Sequence, residues 1–516
     1  MSSFPYTSQS TAISDKNLNG GLNTNSGPLN LNNTESSDLQ NIDFDQDGSI
    51  LSRNGYTTLN SVALNGGADC EHLTWFEYDA SGTTTRVLMN ITGDKLYRMD
   101  DLDGKWDNVT APITITAAKV ADSAQFLNEI YFTNGHDVPF EWNSSGTAAA
   151  VSDVPANLTK AKYVAEFNNY LFYGNVTVSG TAYTSRIYWS NIKDTSTWSA
   201  TAFIDIAKSD GQEITRLKVL GDKLIVYKTR SIYAVSFTGD VDVPFILPGG
   251  GKTNSAVGCV APFSVQQVNN GHVFLSADGV YFFDGNNSFK VSDKITPTLI
   301  DDMNTTNFAE ARSLVQTSKN RYMVSLIASG SSENDRVLVW DYVNNAWSLY
   351  VGLDIAYMTT VLASGSQERI YFGDYAGFTY RADTGANDNP EGTETAIDAY
   401  YWTNWKHYED LISHKGIPEA TIYHRLDNTT LTFAYAYDFE ESDQYSQSIV
   451  LSTSADVFGV GVFGVAKFAG SGGAVKRRSL TGRGRVVRFK FQNNTVDEQF
   501  RIDGFGTFAN LETNVG

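Results

Sequence analysis

From Asp94 to Asp383 the chain is patterned in short runs where apolar residues alternate with polar ones, each run closed by a turn rich in glycine, asparagine or aspartate. Successive side chains of a β-strand point to opposite faces, so a period of two predicts strands. The clearest unit is Gly221 to Asp240, GDKLIVYKTRSIYAVSFTGD. It reads as a hairpin in which Leu224 and Val226 share one side with the facing Ile232 and Ala234, while the turn Lys228-Thr229-Arg230-Ser231 carries the polar groups. Weaker copies are GDKLYRMDDLDGKW, NEIYFTNGHDVPFEW, NNYLFYGN with SRIYWSN, NGHVFLSADGVYFFDGN, the run 319–350, and ERIYFGDYAGFTYRADTG. With Leu96, Ile130, Leu171, Leu224, Val273, Tyr322 and Ile370 as markers, the unit recurs roughly every 35 to 55 residues, the span of one four-stranded propeller blade.

A lone four-stranded antiparallel sheet leaves two faces and two edges open. Stacking such sheets around an axis buries the faces and leaves only short edges. The pattern therefore predicts an all-β chain: a β-propeller-like ring of about six or seven four-stranded blades, with a β-sandwich array as the competing architecture. Helix is expected only within SDKITPTLIDDMNTTNFAEARSLV. There Pro297 would sit near the start and Asp301 and Asp302 in the first turns, where carboxylates favour the helix dipole.

Two segments flank the repeats, giving an N-terminal arm and hairpin over 1–60, the propeller over 61–386 and a C-terminal β-sandwich over 387–516. The run LNGGLNTNSGPLNLNNTESSDLQ offers few apolar anchors, so residues 1–40 are expected to be disordered or to form an extended strap that orders on a neighbouring subunit. Asp43, Asp45, Asp47 and Gly48 imitate the first half of a calcium loop, D-x-D-x-D-G, but its twelfth position holds Asn54 in place of a bidentate carboxylate. A hairpin turning at Gln46-Asp47-Gly48-Ser49 is the plainer reading. GANDNPEGTETA, 385–396, marks a boundary, and AYYWTNWKHY, ATIYHRL, TLTFAYAYDF, VVRFKFQ and FRIDGFGTFANL beyond it predict the sandwich strands. Within them VFGVGVFGVAKFAG spaces Phe458, Phe463 and Phe468 by five, which matches neither helix nor strand. A looped aromatic segment is expected, either core or a hydrophobic contact for a partner.

Charge sharpens this picture. The formal net charge is −20, which argues against a general grip on nucleic acid. Against that background KRRSLTGRGRVVRFK carries Lys476, Arg477, Arg478, Arg483, Arg485, Arg488 and Lys490 with no acid among them. It reads as a contact for DNA phosphates or as a subunit seam that meets the acidic face of a neighbour. The lack of interleaved aromatics favours the seam. Cys70 and Cys259 make no disulfide framework and are expected as free buried thiols. The N-terminal MSSFPYTSQSTAISDK has neither the basic nor the apolar region of a secretory signal. No apolar run approaches the roughly 20 residues of a spanning helix, so no membrane span is expected.

The search for chemistry is nearly empty. GGGKT at 249–253 lacks P-loop spacing, and there is no G-x-S-x-G elbow, no H-E-x-x-H and no histidine pair with zinc-ligand spacing. SADG at 276–279 reads as a turn. No catalytic residue, metal or cofactor is assigned, although carboxylates are numerous enough to leave a glycosidase pair open.

The order of parts carries a resemblance. A polar arm with GGLNTNSGPLNL precedes NIDFDQDGSILSRNGYT; KLYRMD, IYFTNGHDVPFEW, LIVYKTRSIYAVSFTGD, GVYFFDG and a helix near 300 follow, then a sandwich with VFGVGVFGVAKFAG and the basic strip. This resembles the packaged-DNA stabilisation proteins of short-tailed bacteriophages, which form the tail hub or nozzle. The resemblance implies a non-enzymatic virion protein: a homohexameric ring that continues the portal and adaptor DNA channel and helps retain packaged DNA. Tail spikes or fibres and a plug or needle would be its neighbours, and genomic DNA a transient contact in the channel. Two other readings stand beside it, a carbohydrate-binding or carbohydrate-cleaving propeller of the tail-spike type and a generic interaction scaffold.

Overall fold

The computed structural model describes residues 10–512 except 101, 152–153, 155–156, 364–366, 426–428 and 452–473. The chain forms two compact units, one of Thr57–Val337 and Leu353–Ala382, the other of Met1–Tyr56, Leu338–Gly352 and Asp383–Gly516.

The first unit is a seven-bladed β-propeller. Seven four-stranded sheets succeed one another; the first consists of Cys70–Ala80, Thr83–Thr92, Lys95–Asp100 and Asp107–Asn108. The first strands of the next six are Asp122–Phe126, Leu158–Phe167, Ile214–Leu220, Gln266–Val268, Arg312–Gln316 and Tyr357–Ala363. The first strands of the first four blades touch in succession, as do those of the last three, and Tyr357–Ala363 touches Cys70–Ala80; a shared apolar cluster joins the fourth blade to the fifth and closes the ring. The fourth strand of the seventh sheet is Tyr56–Thr58, supplied from the other end of the repeat region. Of the outer part of the sixth sheet, Leu338–Gly352 counts with the second unit.

The hairpin of the fourth blade shows why these sequences stack. Lys223–Lys228 pairs with Ile232–Phe237 in the register Leu224↔Val235, Val226↔Tyr233 and Tyr227↔Ile232. Leu224, Val226, Tyr233 and Val235 pack on Phe172, Ile187 and Trp189 of the third blade. On the other face Ile225, Tyr227 and Ile232 pack on Phe274 and Phe283 of the fifth. The expected sharing of one side by Leu224, Val226, Ile232 and Ala234 is thus off by one residue. A one-residue slip exchanges the faces of a strand, and because both faces are buried between blades, hydrophobicity could not betray it.

Lys228, expected in a polar turn, is fully buried. Its Nζ donates to both Asp210 carboxylate oxygens at 2.7 and 2.8 Å and to the Ile206 carbonyl at 2.9 Å. Six of the seven markers lie on second strands and Leu96 on a third; all are at most 2% exposed.

One α-helix occurs among the described residues, Thr296–Asp301, with Pro297 in its first turn. Asp301 and Asp302 lie at its C-terminal end and not in its first turns, so their charges oppose the dipole. Burial and the neighbouring Asp301 raise the pKa of Asp302.

The second unit is a β-sandwich. One sheet orders Ala474–Ser479, Glu419–His424, Arg501–Glu512, His414–Gly416 and Arg483–Gly484; the other orders Leu39–Gln40, Ala399–Trp402, Val487–Asn493, Thr429–Tyr437 and Tyr445–Leu451. Phe505 of the first sheet meets Phe489 and Phe491 of the second at ring-centroid distances of 5.4 and 5.6 Å.

The arm belongs to this unit. Ser10–Asp15 pairs antiparallel with Arg501–Glu512, and Leu18, Leu22, Leu31 and Leu39 are all buried. In place of disorder or a strap on a neighbour, the arm from Ser10 onward completes its own chain's sandwich. Sparse leucines suffice because the backbone ladder supplies the rest of the anchoring. Asp15 and Lys406, both nearly inaccessible, form an ion pair at 2.5 Å beneath it. A buried pair of this kind fixes geometry more than it adds stability.

Candidate functional site

The first strands of the blades run side by side around the propeller axis, so every second side chain faces the centre. They enclose a cavity of about 270 Å³ lined by His72, Asp122, Ser123, Arg216, Lys218, Phe263, Gln266, Arg312, Ser313 and Tyr357 among others. Arg216 and Lys218 stand two apart on Ile214–Leu220 and so share its inward face.

Arg216 Nη1 meets Asp122 Oδ1 at 2.8 Å, and Asp122 is further held by the Ser123 and Val164 amides. The guanidinium carbons of Arg216 and Arg312 lie 4.9 and 5.1 Å from the Phe263 ring centre. Arg312 also donates to Glu310 at 3.0 Å and to the Ala311 carbonyl at 3.1 Å.

Burial and the cations set the protonation states. Burial, with Arg216 adding to it, lowers the Lys218 pKa to about 8, partly countered by Asp122. His72 is pushed down to about 3 by burial and then by Arg216, so its ring is neutral at pH 7. The His72 Nε2 lies 2.9 Å from the Ser123 hydroxyl. Asp122 is the one carboxylate in the lining and is committed to Arg216. A glycosidase needs two carboxylates across a bond; this cavity holds a donor-rich cluster.

None of these residues was singled out by pattern. The signal was present in ITRLKVL, where two cations at a spacing of two interrupt an otherwise apolar strand. Such a pair needs water or an acidic partner on one face, and a strand walled in by neighbouring blades offers it only at the axis.

The residues that pattern did single out are dispersed. Ile42–Phe44 pairs with Ile50–Ser52 in the expected hairpin. Its acids meet cations: Asp45 and Asp47 bind Arg501 at 2.8 and 2.7 Å, and Asp47 also binds Arg425 at 2.7 Å. The Tyr350 hydroxyl donates to Asp43. No cluster of three or more potential ligands suited to a metal occurs among the described residues.

The basic strip divides. Lys476, Arg477 and Arg478 lie on the edge strand Ala474–Ser479, and Arg483 and Arg485 are exposed. Arg488 is instead buried, its guanidinium 4.1 Å from the Trp402 ring centre and 4.8 Å from Trp405, donating to the Glu440 and Glu441 carbonyls. Lys490 binds Asp443 at 3.3 Å. The strip is therefore not one surface, and aromatics from other strands do accompany its last two cations. Phe458, Phe463 and Phe468 lie outside the described residues. Cys70 and Cys259 are free and buried, and burial raises both thiol pKa values. No helix among the described residues is long and apolar enough to cross a membrane.

Fold and cavity together define a seven-bladed β-propeller with a cationic axial site, joined in one chain to a β-sandwich. No family model and no curated protein matches the chain. Among solved structures it is similar to YCF48 bound to D1 peptide, with a TM-score of 0.40 and 9% identity over 67% of this chain and 98% of that one. It is also similar to a chain of the Mitotic Checkpoint Complex, with a TM-score of 0.38 and 9% identity over 64% of this chain and 97% of that one.

Proposed function

We propose that the chain is a structural subunit of a short-tailed phage tail hub, acting as a ring of identical copies, six in number, that continues the portal-adaptor channel and carries the distal tail parts. The observation that carries this reading is the edge strand Ala474–Ser479. It pairs with Glu419–His424 on one side and, among the described residues, ends its sheet on the other. It bears Lys476, Arg477 and Arg478 on a chain of net charge −20. A basic edge on an acidic molecule suits the acidic surface of the next copy, as a heterologous ring interface requires. The order of parts along the sequence supports the same assignment.

DNA would pass between copies. The axial cavity of about 270 Å³ is far too small for a duplex, whose major groove alone is about 12 Å wide.

Light scattering and negative-stain imaging of the full chain, alone and with adaptor complexes, test the proposal. Rings near six times 56.6 kDa are expected. They should loosen as salt rises from about 0.1 to 0.5 M, where the screening length falls well below about 10 Å. K476E/R477E/R478E should leave the chain folded and monomeric. A chain that stays monomeric even with adaptor supplied overturns the reading, and turnover in a polysaccharide screen would replace it with the tail-spike one.

A further inference from the structure

The axial cavity contains three cations and carboxylate partners for only two of them among the described residues. Asp122 is matched to Arg216 and Glu310 to Arg312, but Lys218 has no carboxylate within ion-pair distance among the described residues. Arg216 is 9% exposed and Arg312 4%, and the Nε of each is buried without a hydrogen-bond partner. The Ser123 and Ser313 hydroxyls and the Gln266 amide also line the space. Lys218 is half-buried beside the buried Arg216, and like charges held this close are relieved when an anion sits between them. The volume, about 270 Å³, falls below the usual range of about 300–1,000 Å³ for drug-sized ligands. It is ample for a tetrahedral ion with part of its hydration.

We infer that the propeller axis is a binding site for a small oxyanion of the phosphate or sulfate class, held by Lys218, Arg216 and Arg312. Phe263, lying against both guanidinium groups, keeps them from collapsing outward. The site lies within the propeller unit, so it stands or falls independently of ring assembly.

Calorimetric titration of the full chain with sodium sulfate and sodium phosphate, against sodium chloride at matched ionic strength, tests it. One saturable site is expected for each oxyanion, with a rise in melting temperature that chloride does not give. Lys218→Met should weaken sulfate at least tenfold without lowering the melting temperature in chloride. Arg216→Met strands Asp122 and is expected to destabilise, so Lys218→Met is the decisive variant.

Sulfate keeps its charge between pH 7 and 9. The groups facing Lys218 are Arg216 on its own strand, Asp122 from the second blade and His272 from the fifth, whose pKa is pushed to about 4. Lys218 changes charge over that range, whereas His272 and the cavity's His72, pushed down to about 4 and about 3, are already neutral at its lower end. Sulfate affinity should therefore fall about tenfold from pH 7 to 9 in the wild type and stay level in Lys218→Met. A 5′-phosphorylated oligonucleotide that binds more tightly than free phosphate, with the same sensitivity to Lys218→Met, would identify phosphate ester ends as the source; equal or weaker binding identifies the free ion. The inference is overturned if neither oxyanion gives saturable heat beyond chloride, or if Lys218→Met binds sulfate as the wild type does.

Discussion

Glu71, the second residue of the strand Cys70–Ala80, is 7% exposed. Burial, then the charge of Asp69, and then Glu310 against the opposing pull of Arg312, push its pKa from 4.5 up to about 7. Asp69, Glu333 and Asp354 are raised for the same reasons, burial first and neighbouring carboxylates second. An acid whose folded pKa is raised binds its proton more tightly in the folded state. Its contribution is full below about 4.5 and is lost as pH climbs through about 7. Glu71→Gln keeps the shape and removes the charge. The variant should match the wild type near pH 4.5 and exceed it by about 2–3 kcal/mol at pH 8. Urea unfolding at the two pH values measures this, and an equal gap at both would show that Glu71 does not titrate as its surroundings dictate.

At the scale of elements, the arm separates two ways of holding a polar segment. Few leucines anchor it, yet Ser10–Asp15 lies in full register with Phe505–Asn510, and its last residue, Asp15, pairs with Lys406. Hydrogen exchange on dilute monomer should therefore find the amides of this strand protected, where a strap awaiting a neighbour would exchange freely until the ring formed. The repeat was legible because buried apolar residues at second-strand positions recur whatever else varies, as Ile130, Leu171, Leu224, Val273, Tyr322 and Ile370 do. Register was not legible, because Leu224 and Ile225 are both buried and nothing in their chemistry says which blade each faces. The site was not legible either. Arg216, Lys218 and Arg312 become a cluster only when strands distant in sequence meet at the axis, whereas the contiguous cations of 476–490 look like a patch and separate on folding.

For the whole molecule, the decisive joint is the closure of the propeller. Tyr56–Thr58 forms the outer strand of the seventh blade, so the ring closes by returning the start of the repeat region to its end. Composition places the propeller at 61–386, which omits that strand. A fragment 56–382 retains it, while a fragment 61–386 leaves the seventh sheet with three strands and an open edge at Thr379–Ala382. Both fragments lack the arm and most of the sandwich, so those losses cancel in the comparison. An unpaired edge invites intermolecular pairing, and the backbone groups along it lose their partners. Fragment 56–382 should unfold at the higher temperature and stay monomeric at concentrations where 61–386 associates. Adding a peptide of residues 50–60 to 61–386 should restore part of the difference, because the missing strand would be supplied in trans. Equal melting temperatures and equal solubility for the two fragments would mean that the blades hold the ring without the closing strand.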